Sequence, residues 1–351
     1  MVDLGTPRRL AARGLSRPRR SIRMGRPLKW QRVHDAIVVP LSESFDFSSG
    51  AGVVASGPGQ YVVGTGLRRY SQEIVPPPQI TGLSAERSIP RAVFGGFVFA
   101  HFGHFLVESL SRLWIEEIST IDSSVPLVWI RGGMGWEFTP WMTEICRRIG
   151  LEREIVLVDA RTGPLGVEEL IIPQAGFELR EWMHPMQMKR LGTTPWLPNA
   201  SDSRVWLSRT RVGESAGLTQ EHEVEAVLAE RGWSIICPES LSIDEQVETL
   251  VGASHVAGVE GSALHGLMLV KDFGGTIDII RRRSSPNYNV LALAAGWDQR
   301  WLNVVGGRRS GVAIVGRILG KSPATAPVID GIDPVATALA VDRSSRRREH
   351  D

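Results

Sequence analysis

The stretch from Arg204 to Asn303 alternates short β-branched runs with amphipathic segments, and that alternation leaves few folds open to the chain. "RVWLSR" reads as a strand, "EHEVEAVLAERGW" as a helix ending near Gly232, and "SIICP" as a strand stopped by Pro238. "SIDEQVETLVGA" reads as a helix, with Ser242 and Glu245 at capping-box spacing. "HVAGV", "SALHGLMLV", "GTIDII", "NYNVLALAAGW" and "RWLNVV" continue the pattern as strand, short helix, strand, helix and strand. Strands fed by crossover helices build a parallel sheet, so residues 203–318 form one Rossmann-like, doubly wound domain.

The first half, residues 33–190, is α/β again but less regular. Strand-like pieces at "AIVVP", "GVVAS" and "QYVVG" lead into a strand "AVFGGFVF", a helix "GHFLVESLSRLWIEEI", a strand "PLVWI" and a helix "TPWMTEICRRIG". The strands "EIVLVDA" and "VEELIIP" come next. From about Gly176 to Asp202 the chain is polar and carries Pro185, Pro195 and Pro198, which reads as a linker. The expected fold class is therefore α/β, with two Rossmann-like doubly wound domains facing a cleft.

Charge is concentrated at one end. Residues 1–32 hold ten Lys or Arg against Asp3, giving +9, which leaves the other residues at −7 for a total of +2. A basic core for nucleic acid is thus not expected. The tail lacks the apolar h-region of a secretory signal and reads as disordered. Two readings of it stand: peripheral contact with an anionic membrane surface, and a solvated tail or a start at Met24. Residues 319–351 read as a loose C-terminal tail. The apolar run around Val93 to Val107 is shorter than the ~20 residues of a spanning helix. Cys146 and Cys237 form neither a disulfide framework nor a C-x-x-C pair, which fits a reducing, cytoplasmic setting.

Two polar constellations interrupt the apolar pattern. In "FAHFGHFLVESLSRLW", at ~100° per residue, Leu106, Val107, Leu110, Leu113 and Trp114 share one stripe. His104, Glu108, Ser111 and Arg112 fall on the opposite side within about 100° of arc, and i, i+4, i+8 spacing lets each of His104, Glu108 and Arg112 reach the next. One reading is a solvated face with a Glu108–Arg112 pair. The other is a proton-handling site, because the helix opens at the carboxyl end of a strand, where doubly wound sheets bind ligands, and His titrates near neutral pH. The second constellation is "VAGVEGSALHGLMLV": a strand ends at Val259, Glu260-Gly261-Ser262 turns, and a helix begins. Free amides and a positive dipole end there favour a phosphate, with His265 one turn in as a further donor. The plainer reading makes Ser262 an N-cap and His265 an ordinary surface residue.

The order "GHFLVESLSRLW", "VWLSRTR", "GWSIICPESLSIDEQVETLVGASHVAGVEGSALHGLMLV" and "GGTIDII" resembles glycosyltransferase family 61, in the form found in bacterial capsular polysaccharide biosynthesis proteins. The resemblance covers roughly Arg91 to Asn303. It implies a GT-B fold and an inverting transfer of a hexosyl or pentosyl group from a nucleotide sugar to an acceptor hydroxyl, in cell-surface or capsular polysaccharide synthesis. It further implies that the C-terminal half grips the nucleotide while the N-terminal half presents the acceptor and the base. Glu108 is then the expected general base, with His104 as its understudy or orienting partner and Arg112 on the acceptor side. Arg209, Gly261, Ser262 and His265 are expected at the donor diphosphate, Glu260 beside them in the donor site, and Arg211 as a helper. Eukaryotic members have a His-Gly-Ala turn where this chain has Glu260-Gly261-Ser262, so their donor contacts do not transfer.

"GTG" at Gly64 to Gly66 lacks the third glycine of a dinucleotide fingerprint. No D-x-D or H-E-x-x-H occurs, so no metal or other cofactor is called for, and a nucleotide-bound Mg²⁺ is left open. Expected partners are a nucleotide sugar and a glycan or lipid-linked acceptor, with catalysis in the cytoplasm or at the inner membrane face. The alternative is a non-catalytic carbohydrate- or nucleotide-binding protein with the same fold. Trp182 and Trp297 are candidate sugar platforms, and equally candidate core residues.

Overall fold

The structure is a computed structural model describing residues 26–302, except 44–46, 56, 58, 119–120, 134–137, 198–202, 213–220 and 283–284, together with Ile318. Residues 1–25 of the N-terminal tail and residues 319–351 lie outside the described residues, but the reading of a disordered tail as far as residue 32 is corrected, because Trp30, Gln31 and Arg32 pair with Pro173, Ile172 and Ile171 in the first strand of the sheet.

The N-terminal half builds a seven-stranded mixed sheet from β1 (Trp30–Val39), β2 (Gly52–Ala55), β3 (Gln60–Tyr61), β4 (Arg87–Val98), β5 (Leu127–Arg131), β6 (Ile155–Val158) and β7 (Leu165–Pro173). Their order is β3-β2-β1-β7-β4-β5-β6. β7, β4, β5 and β6 run parallel, whereas β1 pairs antiparallel with both β7 and β2. The expectation of a doubly wound sheet in this half is corrected. The short Gly- and Ser-broken strands at the start have no crossover helices between them, and consecutive strands without crossovers pair antiparallel.

β4 is buried at every position from Ala92 to Val98 because both faces of its sheet are covered. Ala92, Phe94 and Phe97 enter one core with Val38, Val53 and Leu170. Val93 and Val98 enter the other with Phe105, Trp114 and Trp129. A register shift between Phe94 and Gly96 bulges the strand, with Gly96 at φ +88°.

The C-terminal half matches its expected element order closely. Strands β8 (Arg204–Leu207), β9 (Trp233–Ile236), β10 (His255–Val259), β11 (Thr276–Ile280) and β12 (Asp298–Leu302) form an all-parallel sheet in the order β9-β8-β10-β11-β12. This 2-1-3-4-5 order reverses between β8 and β10, and the crevice beyond their carboxyl ends is where such sheets hold ligands. Val205 and Leu207 face the core shared with the first sheet, while Trp206 faces a smaller one beneath with Leu228 and Trp233.

The stretch read as a linker is a packed wedge instead. It contains a two-stranded ladder (Phe177–Glu178 with Trp182–Met183), a helix Pro185–Leu191, and Thr194–Pro195 paired in parallel with Val270–Lys271. Phe177, Leu179, Met183 and Leu191 are buried in the core that runs between the two sheets. Pro185 opens the helix, as suits a proline at the first helical position, and Pro195 ends the short strand, whereas Pro198 lies outside the described residues. A helix from Pro140 to Arg148 completes the junction. Arg147 and Arg148 pair with Asp244 at the start of the helix Ile243–Val251, and Glu144 accepts the Asp244 amide at 2.9 Å. That helix carries the expected Ser242–Glu245 capping box.

Candidate active site

The chain leaves β4 through Phe99–His101 into one α turn, Phe102–His104, which widens into a π-helical stretch, Phe105–Ser109. The Leu110 amide reaches back to the Phe105 carbonyl at 3.1 Å, an i→i+5 bond, and a 3₁₀ segment comes next at Leu113–Glu117. π turns are uncommon and concentrate at functional sites. Here the extra residue per turn rotates the chain after it, so a uniform 100° wheel misplaces every side chain from that point on. Glu108, Ser109, Ser111 and Arg112 are all buried, and the solvated polar face is absent.

Glu108 is fully partnered. Arg69 grips it bidentately, with Nε 2.8 Å from Oε1 and Nη2 2.9 Å from Oε2, and His104 Nδ1 bonds Oε2. Burial alone would raise this carboxyl, but the bonds from His104 and Arg69 outweigh it and hold the group below the usual carboxylate range. An ionised carboxylate only accepts, so in the neutral His104 ring the proton is the one on Nδ1 and Nε2 has the lone pair. The His104 side chain is about one-third exposed, whereas Glu108 is closed in. A neutral histidine whose Nδ1–H is held by a carboxylate in this way can accept a proton at its outer nitrogen. Both Glu108 oxygens already accept from Arg69 or His104. The expected Glu108–Arg112 pair does not form.

Arg112 turns the other way. It donates from Nη1 to the Pro173 carbonyl and from Nη2 to the Gly64 carbonyl at 2.7 Å, and it lies 5.2 Å over the Phe94 ring. Burial lowers its guanidinium to about 10, which leaves it charged at neutral pH.

Across the junction, the loops after β8 and β10 meet. Arg209 is buried, its amide held 2.9 Å from Glu221 Oε1, and Ser208 Oγ bonds Thr210 Oγ1 at 2.8 Å. Gly261 has an extended φ of −176°, so its glycine is a matter of space: a Cβ there would overlap Arg209 Nη1 and lie 2.6 Å from Cζ. Gly261 is the N-cap of a 3₁₀ helix, Ser262–Leu269, so the N-cap reading of Ser262 is corrected. At its start, the amides of Ser262 and Ala263 have no intrahelical acceptor. The Tyr288 hydroxyl donates to the Gly261 carbonyl at 2.9 Å and pins the turn from below.

Glu260 and His265 of the second constellation hold the turn, and Arg211, the expected helper, lies outside it. Glu260 is buried and accepts the Arg282 amide at 2.9 Å and the Ser285 amide at 2.6 Å, anchoring the loop after β11. His265 is buried, not superficial, and burial pushes it down to about 4, so it is neutral at pH 7. Its Nδ1 lies 3.0 Å from the Ser262 carbonyl, which can only accept. The ring proton is therefore on Nδ1, and Nε2 cannot donate to a phosphate. Arg211 is exposed and donates to Ser240 Oγ at 3.1 Å.

The two constellations adjoin. A Cβ on Gly103 would sit 3.3 Å from both His265 Nδ1 and Ser262 Cβ, so the absence of one lets the helix start press against the turn. A cavity of about 400 Å³ opens beside this contact, lined by His101, Phe102, Trp141, Ser208, Arg209 and Ser262. His101 Nδ1 accepts the His104 amide at 3.4 Å, which puts its ring proton on Nε2, a donor beside the cavity. A second cavity of about 590 Å³ has Glu108 and Arg112 in its wall, with Trp182. Trp297 is buried in the core. Among the described residues no group of three or more His, Cys, Asp or Glu is placed to hold a metal ion, and no helix is long and apolar enough to cross a membrane.

Sequence reasoning missed Arg69, which stands in a two-residue strand with no motif around it, 39 residues before its partner. It also gave His101 no role. The one signal for that residue was its place just past the end of an apolar strand run.

An α/β protein whose switch-point crevice meets a histidine–carboxylate pair across a shared core has the framework of a glycosyltransferase. Residues 102–275 match the family model for Glycosyltransferase 61, a span running from the helix start through both constellations, and the chain belongs to glycosyltransferase family 61. No curated protein matches it. Family membership gives no support to the binding-only alternative.

Proposed function

We propose that the protein transfers a sugar, with inversion, from a nucleotide-sugar donor to an acceptor hydroxyl during synthesis of a cell-surface or capsular polysaccharide. The donor diphosphate occupies the 400 Å³ cavity at the switch point, and the acceptor enters from the 590 Å³ side. His104 Nε2 removes the acceptor proton as the acceptor oxygen bonds the anomeric carbon, and the bond from that carbon to the diphosphate oxygen breaks. The electron pair leaves on the diphosphate. Arg209, the Ser262 and Ala263 amides and His101 Nε2–H are the donors that meet this charge, held in place before it develops. Glu108 fixes the His104 tautomer and stabilises the imidazolium, and Arg69 keeps Glu108 ionised and in place. The imidazolium then returns its proton to solvent. Catalysis takes place in the cytoplasm or at the inner membrane face, on a glycan or lipid-linked acceptor.

The observation carrying this reading is the Arg69–Glu108–His104 chain ending beside the Gly261–Ser262 turn. It exchanges the two roles expected from sequence: His104 is the base and Glu108 its orienting partner. Release of nucleotide from UDP-, GDP-, CMP- and TDP-sugars, with a melting-temperature screen, tests it. His104→Ala should bind the nucleotide that wild type binds yet release it at least 100-fold more slowly in the presence of acceptor. Wild-type turnover by His104→Ala would remove the base from the proposal.

A further inference from the structure

The 590 Å³ cavity is lined by four cationic side chains, Arg26, Lys29, Arg68 and Arg112, against two carboxylates, Glu108 and Glu178. Both carboxylates are engaged: Glu108 by Arg69 and His104, Glu178 with Arg68 at 3.8 Å and with the Trp182 indole at 3.4 Å. Arg112 is in a different position. The residue is about 5% exposed, and its guanidinium bonds are to two neutral carbonyls, which use two of its five N–H groups. It is in no ion pair among the described residues.

A buried charge without a counter-charge is expensive, and proteins keep one where something else supplies the opposite sign. The fold is shaped to hold it there. The bulge in β4 places Gly96 at φ +88°, where a Cβ would come 2.9 Å from Arg112 Nε. The bulge, the left-handed glycine and the two carbonyls together make a slot for a guanidinium that faces the cavity. Trp182, at the same wall, offers an apolar face of the kind sugars stack on.

We propose that this cavity binds an acceptor sugar carrying an anionic substituent, a carboxylate or a phosphate, with Arg112 as its counter-charge and Arg68 and Lys29 at the rim. The proposal rests on the glycosyl-transfer reading for the word acceptor, while the anion site stands on the cavity alone. Two oxygens of a carboxylate or a phosphate fit the guanidinium fork, whereas a neutral sugar leaves the charge uncompensated.

The test uses the full chain and four probes: a glucuronic-acid-terminated disaccharide, its glucose-terminated counterpart, glucose 6-phosphate, and the nucleotide panel run separately. The acidic disaccharide or the sugar phosphate should raise the melting temperature, and whichever does so identifies the anion. The neutral disaccharide should do so at least tenfold more weakly by titration. Arg112→Gln should lose at least tenfold in affinity for the anionic probe and keep its nucleotide response. Lys29→Gln with Arg68→Gln, both exposed positions, should weaken anionic binding several-fold and cover the case in which Arg112→Gln does not fold. Equal binding of acidic and neutral disaccharides overturns the proposal, as does unchanged anionic binding in the rim variant or in Arg112→Gln. A wild-type chain that ignores every nucleotide while keeping Arg112-dependent anion binding would sink the donor reading and leave this one standing.

Discussion

Replacing Gly261 by alanine isolates one contact. Its φ of −176° is extended backbone, so alanine brings no conformational strain. The added methyl instead occupies the place of the Arg209 guanidinium, overlapping Nη1 and lying 2.6 Å from Cζ and 3.2 Å from Nε. These atoms end a flexible side chain, so the overlap is relieved by swinging the guanidinium away, and global stability should fall by only about 1 kcal/mol or less. The donor site loses a charge-assisted hydrogen bond to diphosphate, worth roughly 1.5–3 kcal/mol, or about 10- to 150-fold in nucleotide-sugar affinity. At a ligand concentration of 100 times the wild-type Kd, binding stabilises the native protein by about 2.7 kcal/mol. A 30-fold weaker variant would gain about 0.9 kcal/mol at that concentration, so the melting-temperature shift should shrink to about a third. Calorimetric titration checks the same number directly. The reasoning also requires non-additivity: on an Arg209→Ala background, Gly261→Ala should cost nothing further in affinity. Wild-type nucleotide affinity in Gly261→Ala, or full additivity with Arg209→Ala, would refute the assignment of Arg209 to the diphosphate.

Glu108→Gln should cut turnover by two to four decades while nucleotide affinity stays near wild type, because an amide neither fixes the His104 tautomer nor stabilises its cation; single-turnover nucleotide release reads it. Breaking the buried bidentate pair by Arg69→Ala should destabilise the fold by about 3–5 kcal/mol in urea titrations. His265, held at about 4 against 6.5 in the unfolded chain, makes the unfolded state the better proton binder between those values. Its contribution is therefore complete above pH 6.5 and is lost as pH falls toward 4, about 3 kcal/mol in all, so His265→Gln should flatten that acid limb of stability against pH. Gly96→Ala combines a positive φ with a close approach to Arg112 and should cost about 1–3 kcal/mol, read from the midpoint of denaturant unfolding.

The chain itself determined what is local or periodic. The strand and helix succession from Arg204 to Asn303 comes from hydrophobic period. The Ser242–Glu245 box comes from a spacing of three, and the parallel sheet from crossovers long enough to reverse direction. These signals lie within a few residues of one another, so one sequence displays them. Tertiary structure decided the rest. The π turn at Phe105–Ser109 shifted the polar register that a uniform wheel predicts, and it separated Glu108 from Arg112. Arg69, brought to Glu108 from 39 residues away, pairs with a carboxylate whose only partners in the helical spacing were His104 and Arg112. The supposed linker is packed because its apolar residues find their cover across the gap between two sheets, not beside them in the chain. Proton positions on His101, His104 and His265 likewise depend on which acceptor or donor each ring meets once the chain is folded. Burial and pairing are properties of the assembled core, and no local pattern encodes a partner that only folding brings near.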